Sequence, residues 1–326
     1  MTPLTTQQVN AIRSALPQVK RDESMAQHTY LKIGGAARFF FVAKTTEDLV
    51  QAVSVAQETK VPFAVIGGGS NLLVSDDGYE GLVIQAADTS FKIEGNQVRI
   101  AAGAFTALIA RATAEAGLEG FEWGVGVPGT IGGATFGNAG CFGGEMKDAI
   151  TSVDVLRLSD GVFATYANAE CGFGYRESRF KHEPHVILSV TLSLKPGARE
   201  AAKAKITDIM SKRKESQPQG AFTAGCLFKN FDFEDESVLE ILKREDEVPA
   251  EFLQTKRIPA GWLIDKLGLK GKTVGQAQVS PIHGNFLVNL GQARAQDVIQ
   301  LSSLVKMKVR DELGILLEDE VQYLGF

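Results

Sequence analysis

The sequence predicts an α+β protein of two main domains, the first built around a pair of glycine-rich loops. Three observations lead there. Short strands and amphipathic helices alternate from Ala37 to about residue 195. Two glycine clusters interrupt that alternation, Gly67-Gly68-Gly69-Ser70-Asn71 and the run from Gly124 to Gly133. Near Pro196 the texture shifts to charged, helix-forming sequence. At roughly 100–200 residues per domain, a chain of 326 residues divides into two, and it can bury a sizeable core without cross-links.

Ala37 to Val42 reads as a strand. Thr45-Thr46-Glu47-Asp48 has the form of a capping box and opens a helix with Leu49, Val53 and Ala56 on one face. Val61 to Ile66 is a short buried strand that runs into Gly67. Leu72–Val74 and Gly81–Ile84 are further strands, and Val98, Ile100 and Ala102 alternate with polar residues. Leu108, Ala112 and Ala116 mark a helix that Gly117 stops. Strands return at Ser152–Leu156 and Leu188–Leu194. Ala198 to Ser216 is helical, with Ile206, Ile209 and Met210 on one face, and the charged stretch Asp232–Lys256 is expected to be helical too. Val298, Leu301, Val305 and Val309 form a helical stripe before Gly314, and Leu316–Leu324 reads as a final strand.

Composition narrows the function. The net charge is -5 with both signs interspersed, which excludes the basic face that a nucleic-acid partner requires. Met1 to Leu16 lacks a basic segment followed by an apolar core, so no signal peptide is expected. No run of about 18 apolar residues is present to span a membrane. Cys141, Cys171 and Cys226 are odd in number, far apart and without histidines at metal-site spacing. Neither a disulfide framework nor a metal site is expected, and the chain reads as a reduced, cytoplasmic monomer.

Glycine-rich loops let backbone N–H groups approach and cradle phosphates. A Rossmann site needs strand, glycines, then helix. Gly67-Gly68-Gly69 follows a strand, but Ser70-Asn71-Leu72-Leu73-Val74-Ser75 is strand-like, so the helix is missing. A Walker loop fails as well, because no Gly-Lys-Ser/Thr occurs. Tight packing between strands would explain either cluster alone. A dinucleotide with its pyrophosphate explains both together.

Six segments, in order, resemble the UDP-N-acetylenolpyruvoylglucosamine reductase family. They are Thr29 to Ala36, Gly67 to Leu73, Gly126 to Gly133, Phe173-Gly174-Tyr175-Arg176-Glu177-Ser178-Arg179-Phe180-Lys181, Ala224 to Asn230, and Leu317-Glu318-Asp319-Glu320-Val321. The resemblance runs from about residue 27 to 325. It implies a vanillyl-alcohol-oxidase (PCMH) type of FAD-binding domain, made of two α/β subdomains, over residues 28–198. A separate α+β substrate-binding domain would occupy 199–313, after an N-terminal segment 1–27, and 314–326 would return to the flavin as a strand. The implied reaction uses NADPH to reduce FAD, non-covalently bound, which then reduces the enolpyruvyl ether of UDP-N-acetylglucosamine. On this basis Tyr30, Gly67, Gly68, Gly69, Ser70, Asn71, Leu72, Gly126, Pro128, Gly129, Thr130, Gly132, Gly133, Asn138 and Gly140 are candidate cofactor contacts.

Hydride addition to an enolpyruvyl group builds negative charge beside its carboxylate, and the adjacent carbon must then be protonated. Arg176 suits the first task, since its guanidinium fork fits a carboxylate. Glu320, rather than Glu318, matches the family's glutamate before valine, which serves charge handling and protonation. Cys226 stands where the family commonly has its proton-donating serine. A thiol, with a pKa of about 8.5, gives up a proton more readily than an alcohol. Tyr175, Arg213, Gln217, Lys229 and Asn230 are candidate substrate contacts. His283 and Asn285 match the family without an assignable role. Residues 176 and 226 are 50 apart, as in the shorter subtype of the family, whereas Asp232–Arg257 looks like an acidic helical insertion. The competing reading is a related FAD-dependent oxidase of a small alcohol or hydroxy acid.

Overall fold

Phe39, Phe40 and Phe41 make Ala36–Ala43 apolar on both faces, and the strand is buried accordingly. It pairs in parallel with Tyr79–Ala86, which pairs in parallel with Phe63–Ile66, and Lys20–Ser24 closes the other edge of this four-stranded sheet. The computed structural model describes residues 3–234, 242 and 248–326. The chain forms two units, residues 1–23, 36–69 and 79–215 in the first, and 24–35, 70–78 and 216–326 in the second.

The first unit has two layers of structure, each with its own core. The parallel sheet is covered by the helix Thr46–Glu58, whose Leu49, Val53 and Ala56 are buried as their spacing requires. Thr45 caps it in the expected box, accepting from the Asp48 amide while Asp48 accepts from the Thr45 amide. The second layer is an antiparallel sheet in the order Phe163–Ala167, Ile150–Arg157, His185–Ser193, Gln97–Ala101, Phe91–Glu94. Val98, Ile100, Val153, Val155 and Val190 project into its core with Phe121, Trp123 and Ile131. The helices Thr106–Glu115 and Arg199–Ser216 belong to this unit, the latter up to Glu215. These are the two α/β subdomains of the expected FAD-binding fold.

The second unit is built on the helix Ala295–Leu313, which buries Val298, Leu301, Val305 and Val309 and ends at Gly314 in the left-handed conformation, φ 68°. It packs with a four-stranded antiparallel sheet, Phe222–Cys226, Phe286–Asn289, Ala277–Val279 and Thr273–Val274. Asp76 accepts from the amides of Ala295 and Gln296 at the start of that helix, tying residues 70–78 into this unit.

The expected division at residues 198/199 shifts, because the helix Arg199–Ser216 lies in the first unit up to Glu215, and the final strand is shorter than expected. The final strand is only Gln322–Leu324, paired in parallel with Leu72–Val74, because Gly314 to Val321 runs alongside other segments without a continuous ladder. The middle of the expected insertion Asp232–Arg257, residues 235–241 and 243–247, lies outside the described residues. Its ends meet as Phe231-Asp232 paired antiparallel with Arg257-Ile258, closed by an Arg257–Asp232 ion pair, and Ala250–Thr255 is helical.

His185 starts its strand, and its side chain is 4% exposed. The Tyr166 hydroxyl hydrogen-bonds its Nε2, and its Nδ1 has no partner among the described residues. Burial holds its pKa below the ordinary histidine value; Glu183 opposes this and Arg179 and Arg157 assist it. The unfolded chain therefore binds a proton near pH 6.5 that the native state resists, and stability is lost as pH falls through about that value. In His185→Gln the unfolding free energy should decline less steeply than in the parent between about pH 7 and 5. Urea titrations at several pH values measure this; parallel slopes would remove His185 from the account.

Candidate active site

In the first unit the two glycine loops touch. A Cβ on Gly67 would stand 2.2 Å from the Thr130 hydroxyl oxygen, and one on Gly68 would stand 3.3 Å from the Gly129 Cα. The amides of Gly68 and Gly69 have no acceptor among the described residues, so they remain for a ligand. The second loop is held from below. The buried Thr106 hydroxyl donates to the Val127 carbonyl, just before Pro128, and the Thr106 amide donates to Gly129 at 3.1 Å. Ile131 and Gly132 donate to Ala104 and Ala102, both at 2.8 Å, and Thr130 caps the short helix Ile131–Phe136 by accepting from Gly133. A Cβ on Gly132 would lie 2.8 Å from that of Ala102, and one on Gly140 would lie 2.4 Å from the Gly144 carbonyl. At these two positions backbone packing accounts for the glycine. Gly126 is similar, facing the Cys141 sulfur at 2.8 Å.

Tyr175 and Arg176 occupy the tip of a tight turn, closed by reciprocal backbone hydrogen bonds between Gly174 and Glu177. Arg176 takes φ 53°, a left-handed conformation that costs a non-glycine residue about 1–2 kcal/mol. Its guanidinium lies 5.2 Å over the Tyr175 ring and donates to the Gly140 carbonyl at 2.8 Å. Arg213, near the end of its helix, donates to the Gly126 carbonyl at 2.8 Å. Burial pushes the Cys141 thiol up to about 11, against the opposing pull of both guanidiniums. The structure thus brings Arg213 alongside Arg176 around the second loop. The Asn138 side chain is fully buried: its amide N–H groups donate to Gly174 and Glu145 and its oxygen accepts from the Lys147 amide, so it braces the Arg176 turn.

In the second unit, Cys226 follows a bulge at which Gly225 takes φ 82°. Bulges re-aim side chains beside functional sites. The next residues have a partner on each edge. On one, the Asn285 side chain accepts from the Phe228 amide at 2.9 Å and donates to its carbonyl at 2.8 Å, while the Leu227 amide donates to the Asn285 carbonyl at 2.8 Å. On the other, the Glu320 amide donates to the Leu227 carbonyl at 2.7 Å and the Lys229 amide donates to Glu318 at 2.9 Å. The Asn71 side chain donates to the Glu320 carbonyl at 3.0 Å, and the Gln322 amide returns a bond to Asn71 at 3.0 Å. Cys226, Glu320, Asn71, Leu72 and Lys229 are therefore assembled by one backbone network.

Other candidates have more local tasks. Glu318 is exposed and ion-paired with Lys229 at 3.1 Å. Asn230 accepts from the Ala260 amide at 3.2 Å. Tyr30 is exposed on a turn held by Thr29, and Gln217 lies between the helix ending at Ser216 and the strand starting at Phe222. Cys171 is buried, and its thiol is pushed up to about 11. Among the described residues no helix is long and apolar enough to cross a membrane, and no three His, Cys, Asp or Glu are grouped to hold a metal. A concavity of about 640 Å³ opens on the antiparallel sheet by Phe91, Arg99, Asp154 and Phe163, away from both loops. Its Asp154 is already engaged with Arg99, Thr165 and Ser189.

Sequence reasoning singled out Asn285 without finding its role. The signal was its place in Ile282-His283-Gly284-Asn285-Phe286, but a buried amide that replaces a strand has no periodicity to find. Asn285→Ala leaves the Phe228 N–H and C=O unpaired, at about 1–3 kcal/mol each. We expect a loss of roughly 2–5 kcal/mol in denaturant unfolding, with Asn285→Asp intermediate because it keeps only the acceptor. An alanine variant as stable as the parent would contradict this role.

Comparison with known proteins agrees with this geometry. Residues 37–165 match the FAD binding domain model, and residues 217–324 match that of the UDP-N-acetylenolpyruvoylglucosamine reductase C-terminal domain. The UDP-N-acetylenolpyruvoylglucosamine reductase of Caldicellulosiruptor bescii is 37% identical over 94% of this chain and 90% of its own. That of Clostridioides difficile is 35% identical over 94% and 93%. The crystal structure of the corresponding reductase (MurB) from Thermus caldophilus superposes with a TM-score of 0.74 at 36% identity, covering 94% of this chain and 99% of that one. With likeness of this extent along nearly its whole length, the chain belongs to the UDP-N-acetylenolpyruvoylglucosamine reductase family.

Proposed function

We propose that this protein reduces the enolpyruvyl ether of UDP-N-acetylglucosamine to UDP-N-acetylmuramate, with bound FAD and with NADPH as electron donor, as a cytoplasmic monomer in peptidoglycan precursor synthesis. The observation that carries the reading is the Glu320–Leu227 backbone hydrogen bond, which joins the candidate carboxylate to the segment of the candidate thiol. The residues fit the cofactor: the glycine loops leave no room for a Cβ where they meet, and the Gly68 and Gly69 amides are available to phosphate oxygens. FAD held by these loops would supply the hydride chemistry that links NADPH to the double bond.

The chain's own residues handle charge and protons. Arg176 binds the substrate carboxylate, and its permanent charge stabilises the enolate-like anion that grows there. Its left-handed turn and the Gly140 carbonyl fix the guanidinium before substrate arrives, so little is spent on ordering it during reaction. Arg213 and Tyr175 border the same loop and serve the sugar nucleotide or its diphosphate. Gln217, Lys229 and Asn230 are assigned to that ligand as well. Glu320 takes part in charge handling at the carboxylate. The Cys226 S–H donates its proton to the carbon beside the carboxylate, and the resulting thiolate is reprotonated from solvent.

Anaerobic mixing with NADPH should bleach the flavin, and the enolpyruvyl substrate should restore its colour. Equal restoration by unrelated enones, or by oxygen in preference, would sink the assignment. Cys226→Ser should retain substantial turnover, whereas Cys226→Ala should lose about 10²–10⁴-fold. Peroxide should inactivate the parent more than the serine variant. Undiminished turnover in the alanine variant would remove the thiol from the mechanism.

A further inference from the structure

We propose that Lys306 is a positioning residue for the protonation half of this reaction, holding the segments of Cys226 and Glu320 in register from the helix Ala295–Leu313. The inference rests on the function proposed above. Lys306 Nζ meets Asp319 Oδ2 at 2.6 Å. The same ammonium lies 5.8 Å over the ring of Phe228, within the range of a cation–π contact. Phe228 and Asp319 face each other as an isolated antiparallel bridge. One cation therefore touches both segments at a single rung, and the Glu320–Leu227 hydrogen bond is the adjacent one.

The rung matters because neither segment is a strand there, so no ladder fixes the rotation of residues 318–321. Glu320 follows Asp319 directly, and its amide bonds Leu227 beside the bridge, so a shift of Asp319 moves the Glu320 backbone with it. Anchoring Asp319 thereby holds Glu320 in place. The helix is a firm base, since Val305 and Val309 beside Lys306 are fully buried. Lys229 is ion-paired with Glu318. Tyr323 hydrogen-bonds Asp319, but as a phenol whose pKa is raised first by burial it supplies no positive charge. Asp319 Oδ1 is buried without a hydrogen-bond partner among the described residues, so loss of Lys306 would leave the carboxylate with no cation and only the Tyr323 hydroxyl and a partial opening to solvent to compensate it. The segment would turn to solvate it and carry Glu320 away from its working direction.

The test is anaerobic stopped-flow on the FAD-loaded full chain, in two halves. In Lys306→Met, bleaching by NADPH should keep the parent rate, while reoxidation by the enolpyruvyl substrate should slow roughly 10–100-fold, the scale of a small misplacement. Lys306→Arg should restore most of that loss. Adding Asp319→Asn to Lys306→Met should also recover rate, because the stranded charge is gone. Should Lys306→Met fail to take up flavin, the double variant against Asp319→Asn alone reads the same coupling. Reoxidation of Lys306→Met at the parent rate, equal slowing of both halves, or no rescue by arginine would each overturn the role. Failure of the parent itself to be reoxidised by this substrate would instead sink the proposed function.

Discussion

Where Gly67 meets Thr130, and Gly68 meets Gly129, the chain has no room for a side chain. That exclusion governs the first unit. Two loops from different subdomains, one following the parallel sheet and the other leading to a helix on the antiparallel sheet, come within van der Waals distance of each other. The approach leaves a backbone surface with uncommitted amides, which is what a pyrophosphate needs and what a side chain would block. The glycines nearby divide by task. Gly67 and Gly68 keep the loops together, whereas Gly132 and Gly140 relieve crowding against Ala102 and Gly144.

The second unit solves a different problem. Its reactive candidates lie at strand ends, Cys226 as the last residue of Phe222–Cys226 and Glu320 just before Gln322–Leu324, and the chain beyond them lacks a continuous ladder. Buried backbone groups must still be paired. Asn285 supplies one edge with a side-chain amide that imitates a strand, and residues 318–321 supply the other. Asn71 then joins the glycine-loop sequence to Glu320. Three distant stretches of sequence thus converge through hydrogen bonds that depend on only two side chains. Substitution of Asn285 exposes two backbone groups at once, the Phe228 N–H and C=O, whereas the Glu320 carbonyl bonded by Asn71 keeps the Gln322 side chain as a second donor.

The sequence made visible what repeats or punctuates. Periodicity located the helices at Thr46–Glu58 and Ala295–Leu313 and the strands around Val98 and Val190, and glycine density located the loops. Resemblance supplied the fold type and the names Arg176, Cys226 and Glu320. Other features were invisible for physical reasons. The transfer of residues 24–35 and 70–78 to the second unit depends on contacts such as Asp76 with Ala295, which carry no local pattern. Asn138 sits in a glycine-rich run, and its side-chain polar atoms brace the Arg176 turn. The final strand looked longer than it is. Buried apolar positions such as Ile315, Leu317 and Val321 also arise in extended chain that pairs by single bridges, so their spacing alone does not prove a ladder.

These constraints bear on the choice of thiol over alcohol at residue 226. A donor on a regular strand would be aimed by its ladder, but Cys226 is aimed by a bulge and by the clamp that follows it. Sulfur is larger and less directional as a hydrogen-bond donor than oxygen, so the thiol gains little from fine hydrogen-bond orientation. It gains instead from intrinsic acidity, which needs only proximity. The burden of orientation then falls on the opposing carboxylate. That side of the network is where the added fixings are found: Asn71 on the Glu320 carbonyl, Leu227 on its amide and Lys306 on the residue before it. A thiol on a clamped segment, with a carboxylate whose backbone is held on either side, is the division of labour that the proposed proton transfer would use.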